Sequence, residues 1–178
     1  ELTAVNSKAV MSYLIQPNGS VRVTHSFDYG GANDNTEIPR VGLNMQLSSS
    51  LENVEWYGRG PHENYIDRKA SAFMGSYRAK VNEMKFDYGR PQENGYRTQT
   101  KQLSITDQNG VGLEFVGMPE FSFAVHNNTT DDYDDGSWKN SKRKDALGNP
   151  KNSHLNDIKQ KDLLNLNIDY RQMGVGGD

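Results

Sequence analysis

The sequence predicts an all-β, antiparallel domain on three observations: apolar side chains recur at every second position along most of the chain, turn-forming residues separate those runs, and the length suits one domain. The period of two is clearest at Val21, Val23, His25 and Phe27 and at Val41, Leu43, Met45 and Leu47. It returns at Val54 and Trp56, at Leu103 and Ile105, at Leu113 and Phe115, at Phe121, Phe123 and Val125, and at Leu164, Leu166 and Ile168. Alternation of this kind places one apolar face of each strand on a core and leaves the other to polar residues. Pro17-Asn18-Gly19-Ser20 and Asp107-Gln108-Asn109-Gly110 each stand between two such runs. Both supply residues that accept a positive φ, as tight hairpins require, so neighbouring strands run antiparallel.

The 178 residues are read as a single domain over 1–178, long enough to bury a sizeable core. Net charge is -3 with acids and bases interspersed, so the chain lacks the basic footprint expected of a nucleic-acid or anionic-membrane partner. The absence of cysteine removes disulfides, thiolate nucleophiles and cysteine-ligated zinc together. No apolar run approaches the roughly 20 residues of a membrane-spanning helix. The first residues, Glu1-Leu2-Thr3-Ala4, carry no signal-peptide pattern, which suggests a cytoplasmic protein or a chain that begins inside a longer one and leaves the compartment open. Residues 127–152 hold Asp131, Asp132, Asp134 and Asp135 and then Lys139, Lys142, Arg143 and Lys144 with almost no apolar residues, the pattern of a surface insertion loop. Ser153 as an N-cap, with Leu155 and Ile158 three apart, predicts one short helix over 153–162.

The densest chemistry lies in Trp56-Tyr57-Gly58-Arg59-Gly60-Pro61-His62-Glu63-Asn64-Tyr65, followed by Asp67 and Arg68. Two glycines and a proline end a strand and force a tight loop. That loop presents Arg59, His62, Glu63, Asn64, Tyr65, Asp67 and Arg68 together. Polar groups beside aromatic rings suit a sugar, whose hydroxyls seek hydrogen bonds and whose C–H face packs on rings. A hydrogen-bonded loop that only ties strands together is an equal alternative. A second run presents Arg90, Gln92, Glu93 and Asn94 around Pro91 and Gly95, and here a structural Arg–Glu turn is the favoured reading. A third, Gln172-Met173-Gly174-Val175-Gly176-Gly177-Asp178, does not match a dinucleotide-binding fingerprint.

Those three runs, in this order, resemble the small-chain or C-terminal domain of bacterial glycoside hydrolase family 2 β-galactosidases. The family's G-x-G-P-x-E-N-Y-x-D-R segment corresponds to Gly58 to Arg68, its P-x-E-N-G segment to Pro91 to Gly95, and its Met-Gly-x-Gly-Gly-Asp segment to Met173 to Asp178. The resemblance runs from near Thr24 to the last residue, with Asp131 to Lys151 departing from it. It implies a galactose-mutarotase-like antiparallel β-sandwich, or supersandwich, within a multidomain parent that hydrolyses terminal non-reducing β-D-galactose residues. It further implies that the catalytic glutamates sit in a separate barrel domain, that the magnesium and sodium of the parent bind elsewhere, and that this domain holds no cofactor or metal. Its expected partners are then the barrel and other domains of the parent chain and galactosides, with residues 58–68 nearest the sugar pocket and no catalytic residue of its own. The family pattern continues past the last motif to a tryptophan that contacts substrate, and has further strands before the segment matching Glu1. Trimmed sheet edges would then favour a homo-oligomer.

Two alternatives from other classes stand beside this reading: a free-standing aldose-1-epimerase using His62 with Glu93, and a carbohydrate-binding module. As catalytic carboxylates, Glu63, Asp67, Glu93 and Glu120 qualify by residue type alone. Asp131 to Gly136 looks like a calcium loop but lacks the oxygen ligand and final glutamate of an EF-hand. His25, His62, His126 and His154 have no metal-site spacing.

Overall fold

The structure, a computed structural model, describes residues 7–30, 38–133 and 158–175. The chain divides into two compact units, Glu1–Ile38 and Pro39–Asp178. In the first, Gly19 at φ +84° turns the chain while the side chain of Asn18 accepts the Ser20 amide at 3.0 Å. This local bonding is the reason Asn-Gly closes hairpins. It pairs β1 (Lys8–Ile15) antiparallel with β2 (Val21–Asp28). Met11 lies opposite His25, Tyr13 opposite Val23, and Ile15 opposite Val21, so one face of the hairpin collects its apolar side chains.

The second unit is built on a six-stranded sheet. Its strands are β3 (Arg40–Leu47), β4 (Asn53–Gly60), β5 (Phe73–Lys80), β6 (Arg97–Thr106), β7 (Gly112–His126) and β8 (Leu164–Gln172), arranged β3-β8-β7-β6-β4-β5. Every neighbouring pair is antiparallel, so the all-β, antiparallel class read from the sequence is the class observed. Hairpin chemistry again sets the register. The carboxylate of Asp107 accepts the amides of Asn109 and Val111 at 2.8 and 2.9 Å, and Gly110 sits at φ +79°.

Two predicted elements differ. The runs at 113–115 and 121–125 are one 15-residue strand, β7. Its pairing with β6 shifts register between Thr100 and Gln102, and Pro119 falls in the resulting bulge, where a missing N–H costs no ladder bond. The helix expected over 153–162 lies partly outside the described residues, and 158–162, which are described, are not helical.

One face of the sheet carries the core: Val54, Trp56, Leu103, Ile105, Phe123, Val125, Leu164 and Leu166 are buried together. Each such side chain contributes roughly 1.5–3 kcal/mol by leaving water. The opposite face is unusual. In β8, Asn165, Asn167 and Asp169 alternate with the core leucines and are just as buried. Ala124 of β7, between the core residues Phe123 and Val125, points the same way and packs in a second cluster with Tyr65 and Tyr96. Tyr65 belongs to the segment after β4 and Tyr96 to the segment before β6. The loops singled out by the sequence therefore fold over the sheet's polar face.

Candidate functional site

The loop after β4 starts at Pro61 and is closed by its own side chains. Arg59 donates to the carbonyls of Ala72 at 2.6 Å and Lys69 at 3.3 Å and to the side chain of Gln99. Asn64, fully buried, donates to the His62 carbonyl at 3.1 Å, while its oxygen accepts from the Thr98 hydroxyl at 2.5 Å and the Thr98 amide at 3.1 Å. Arg97 joins this loop to the next. Its guanidinium donates to the carbonyls of Met84 and Gly95, each at 2.8 Å, and of Pro61 at 3.1 Å.

On this frame stands a connected series of charges and rings. One oxygen of Glu63 accepts from Arg68 at 2.7 Å and from the Tyr88 hydroxyl, and the other accepts the Gly95 amide at 2.8 Å. The Arg68 guanidinium lies 4.8 Å from the centre of the Tyr65 ring, and Tyr65 stacks on Tyr96 at 5.3 Å with planes 11° apart. Arg40 follows, 5.7 Å from the Tyr96 centroid, and it forks between Glu93 at 2.8 Å and Asp169 at 3.0 Å. The Tyr96 hydroxyl donates to Asp169 at 3.0 Å. The contacts thus run Arg68, Tyr65, Tyr96, Arg40, and a carboxylate neutralises the guanidinium at each end.

Burial sets the protonation states. It raises the Asp169 carboxyl to about 6 against the opposing pull of Arg40 and Tyr96, and raises Glu93 as well, again opposed by Arg40. Burial, reinforced by the charges of Glu93 and Glu63, keeps the Tyr65 hydroxyl protonated. Behind this series His126 is buried, bonded through Nε2 to the Asn94 carbonyl at 3.0 Å, and burial lowers its pKa to about 4.

Of the residues expected at a site, Glu63, Tyr65, Arg68 and Glu93 are brought into one network. Arg59 and Asn64 are spent on the loop's own structure. His62 is exposed and bonds Ser71 at 3.1 Å, while Glu93 is tied to Arg40, so the two residues of the epimerase alternative are held by different partners. Asp67 accepts the Val175 amide at 3.2 Å, which fastens the segment after β8 to the loop. In the second turn Arg90 and Gln92 are exposed, the Gln92 carbonyl accepts from Asn94 at 3.1 Å, and Glu93 pairs with Arg40 of β3 at 2.8 Å. In the acidic stretch, Asp132 accepts from Thr129 at 2.8 Å and from Lys161 at 2.7 Å, and Tyr133 is buried; Asp134 and Asp135 lie outside the described residues. Sequence reasoning missed Arg40, Tyr88, Tyr96, Arg97 and Asp169. The polar residues inside Leu164-Asn165-Leu166-Asn167-Ile168-Asp169 were the available signal for Asp169.

The two buried titrating groups work against each other. A histidine lowered to about 4 withdraws stability as pH falls below its unfolded value near 6.5, whereas a carboxyl raised to about 6 adds stability over the same fall. At pH 5 the histidine term is about 2 kcal/mol. Exchanging His126 for Gln, which keeps a donor for the Asn94 carbonyl, removes only that term. The difference in unfolding free energy between H126Q and the parent sequence is therefore expected to move in favour of the variant by about 2 kcal/mol between pH 7 and pH 5. A difference independent of pH would refute it.

Fold and site define an antiparallel β domain whose two loops, rich in carboxylate, guanidinium and tyrosine, fold over the polar face of one sheet. Among the described residues no three His, Cys, Asp or Glu side chains stand together to hold a metal ion, and no helix is long and apolar enough to cross a membrane. The chain belongs to the beta galactosidase small chain family, whose profile matches residues 2–178. Its relatives include proteins named Beta-galactosidase from Vibrio cholerae serotype O1, 36% identical over 90% of this chain, from Priestia megaterium, 29% identical over 100%, and from Kluyveromyces lactis, 33% identical over 96%. The matched regions are only 13%, 16% and 15% of those relatives' own lengths.

Proposed function

We propose that residues 1–178 form a non-catalytic accessory part of a β-galactosidase, in which loops 61–72 and 84–96 face the galactoside pocket of a separate barrel domain, completing and bracing it. The family match over residues 2–178 and the small share of each relative that it covers support a larger parent. The observation that carries the non-catalytic reading is the state of the carboxylates. Retaining hydrolysis needs one carboxylic acid and one free carboxylate about 5–5.5 Å apart across the scissile bond. Here Glu63 is paired with Arg68, and Glu93 and Asp169 share Arg40, so each is committed to holding the loops. The same loops leave Ile66 and Phe86 exposed, as is Met173 in the segment tied to Asp67, apolar side chains suited to packing on another domain.

The test uses the full-length enzyme containing these residues. Ile66→Asp combined with Phe86→Asp should lower kcat/KM on an aryl β-galactoside by roughly tenfold or more, about 1.4 kcal/mol of transition-state stabilisation, while residues 1–178 assayed alone should show no hydrolysis above a buffer blank. Unchanged kcat/KM would remove the bracing role; hydrolysis by the isolated chain would overturn the non-catalytic reading.

A further inference from the structure

Beside the buried polar face of β8 lies a cleft of about 160 Å³ walled by Glu93, Asn94, His126, Thr130, Tyr133 and Asn167. It shares His126 and Tyr133 with a second, smaller cleft of about 90 Å³ that Asn82, Asn127 and Asn128 help to line. Glu93 and Asn94 belong to the second of the three motifs, whereas His126, Thr130, Tyr133 and Asn167 lie outside all of them.

The walls are chemically consistent. Asn94 is 3% exposed, and its Oδ1 is buried with no hydrogen-bond partner among the described residues, an arrangement that native interiors avoid unless something else satisfies the oxygen. Asn167 accepts from Asn44 at 2.6 Å, while among the described residues its Nδ2 reaches only the Thr130 hydroxyl, at 3.5 Å. That is a long bond, which leaves most of this group's donor capacity for another acceptor. The His126 ring donates through Nε2 to the Asn94 carbonyl, so the neutral ring keeps Nδ1 as an acceptor. Tyr133 packs on His126 at 5.0 Å and 53°, giving an aromatic wall. Glu93, the one carboxylate in the wall, is hydrogen-bonded to Arg40, which also bonds Asp169. Amide donors and acceptors around a ring match hydroxyls set around an apolar C–H face.

We propose that this cleft binds an uncharged polyol of monosaccharide size, with Asn94 Oδ1 and Asn167 Nδ2 pairing to hydroxyls and Tyr133 packing on the C–H face. The assignment can be tested apart from the bracing role, because His126, Thr130, Tyr133 and Asn167 lie outside loops 61–72 and 84–96. In the full-length enzyme, hydrogen–deuterium exchange is followed with and without millimolar galactose, glucose or glycerol. Peptides spanning 84–96 and 126–133 should exchange about twofold or more slowly with at least one monosaccharide. The protection should vanish in Asn94→Leu, which removes the acceptor at near-constant volume, and in Asn167→Ser should Asn94→Leu fail to fold. Protection confined to peptides outside residues 84–133, protection confined to 61–68, or equal protection in the variants would overturn the assignment; the second of these would at the same time favour a sugar at the loop tips.

Discussion

Replacing Arg97 by methionine is expected to cost about 3–5 kcal/mol of stability, because three buried carbonyls lose their donor together. Arg97 is 4% exposed, and its guanidinium lies 5.6 Å from the Trp56 ring. Burial lowers its pKa to about 10, partly offset by Glu63, so it remains charged at neutral pH. Among the described residues no carboxylate forms a salt bridge with it; the charge is satisfied by the carbonyls of Met84, Gly95 and Pro61. Methionine fills much of the volume but leaves those three carbonyls without a donor, and each such loss costs about 1–3 kcal/mol when water cannot replace it. Lysine should recover only part, since a single ammonium cannot fork between two loops as a planar guanidinium does. Urea unfolding of the three proteins measures this. A loss below about 1 kcal/mol for R97M would show that the carbonyls find other donors.

Gly95→Ala should cost about 2–5 kcal/mol, from two separable sources. Gly95 has φ +74°, a region that penalises a Cβ by about 1–2 kcal/mol. The added methyl would also meet the His126 ring, with Nε2 at 2.8 Å, and the Met84 carbonyl at 2.9 Å. Overpacking of that kind adds about 1–3 kcal/mol. Gly110 isolates the first source: its φ is +79° and nothing lies within 4 Å of its added Cβ, so Gly110→Ala should lose only the backbone part. Because the Gly95 amide holds Glu63, the substitution should also loosen Arg68. Faster amide exchange over 61–68 in G95A than in G110A is the check, and equal unfolding midpoints for the two variants would contradict the argument.

How much of this was legible in the sequence depends on where the information lay. Strands β2, β3, β4, β6 and β8 were readable because large apolar residues alternate in them, and local turn chemistry at Asn18-Gly19 and Asn109-Gly110 marked both hairpins. β5 was not, because its core-facing positions are Gly75, Tyr77 and Ala79. They lie beside Gly58, Trp56 and Val54, and the bulk of Trp56 and Tyr77, 5.4 Å apart, leaves space for only small neighbours. The loop over 56–68 announced itself by composition, but which of its side chains would be spent internally did not. Asn64 and Arg59 find partners at 98–99 and 69–72, and no local pattern distinguishes them from Glu63 and Arg68. Arg40 looks like an ordinary polar residue at the start of a strand, and Asp169 shows itself only as the last of three polar residues alternating with apolar ones, until the pairing of β3 with β8 brings the two together.

The pairing of β3 with β8 also bears on how the molecule is made. Asn44 meets Asn165 and Asn167 across 121 and 123 residues of sequence, whereas β4, β5, β6 and β7 can find one another from neighbouring segments. Closing so long a loop is entropically slow, and contacts of high sequence separation delay folding. During synthesis the fork of Arg40 between Glu93 and Asp169 cannot form until β8 has left the ribosome. The emerging chain must therefore carry a half-built sheet, with β7 open along the edge that β8 will fill, for as long as translation of the intervening 38 or so residues takes, about 2–8 seconds at ordinary elongation rates.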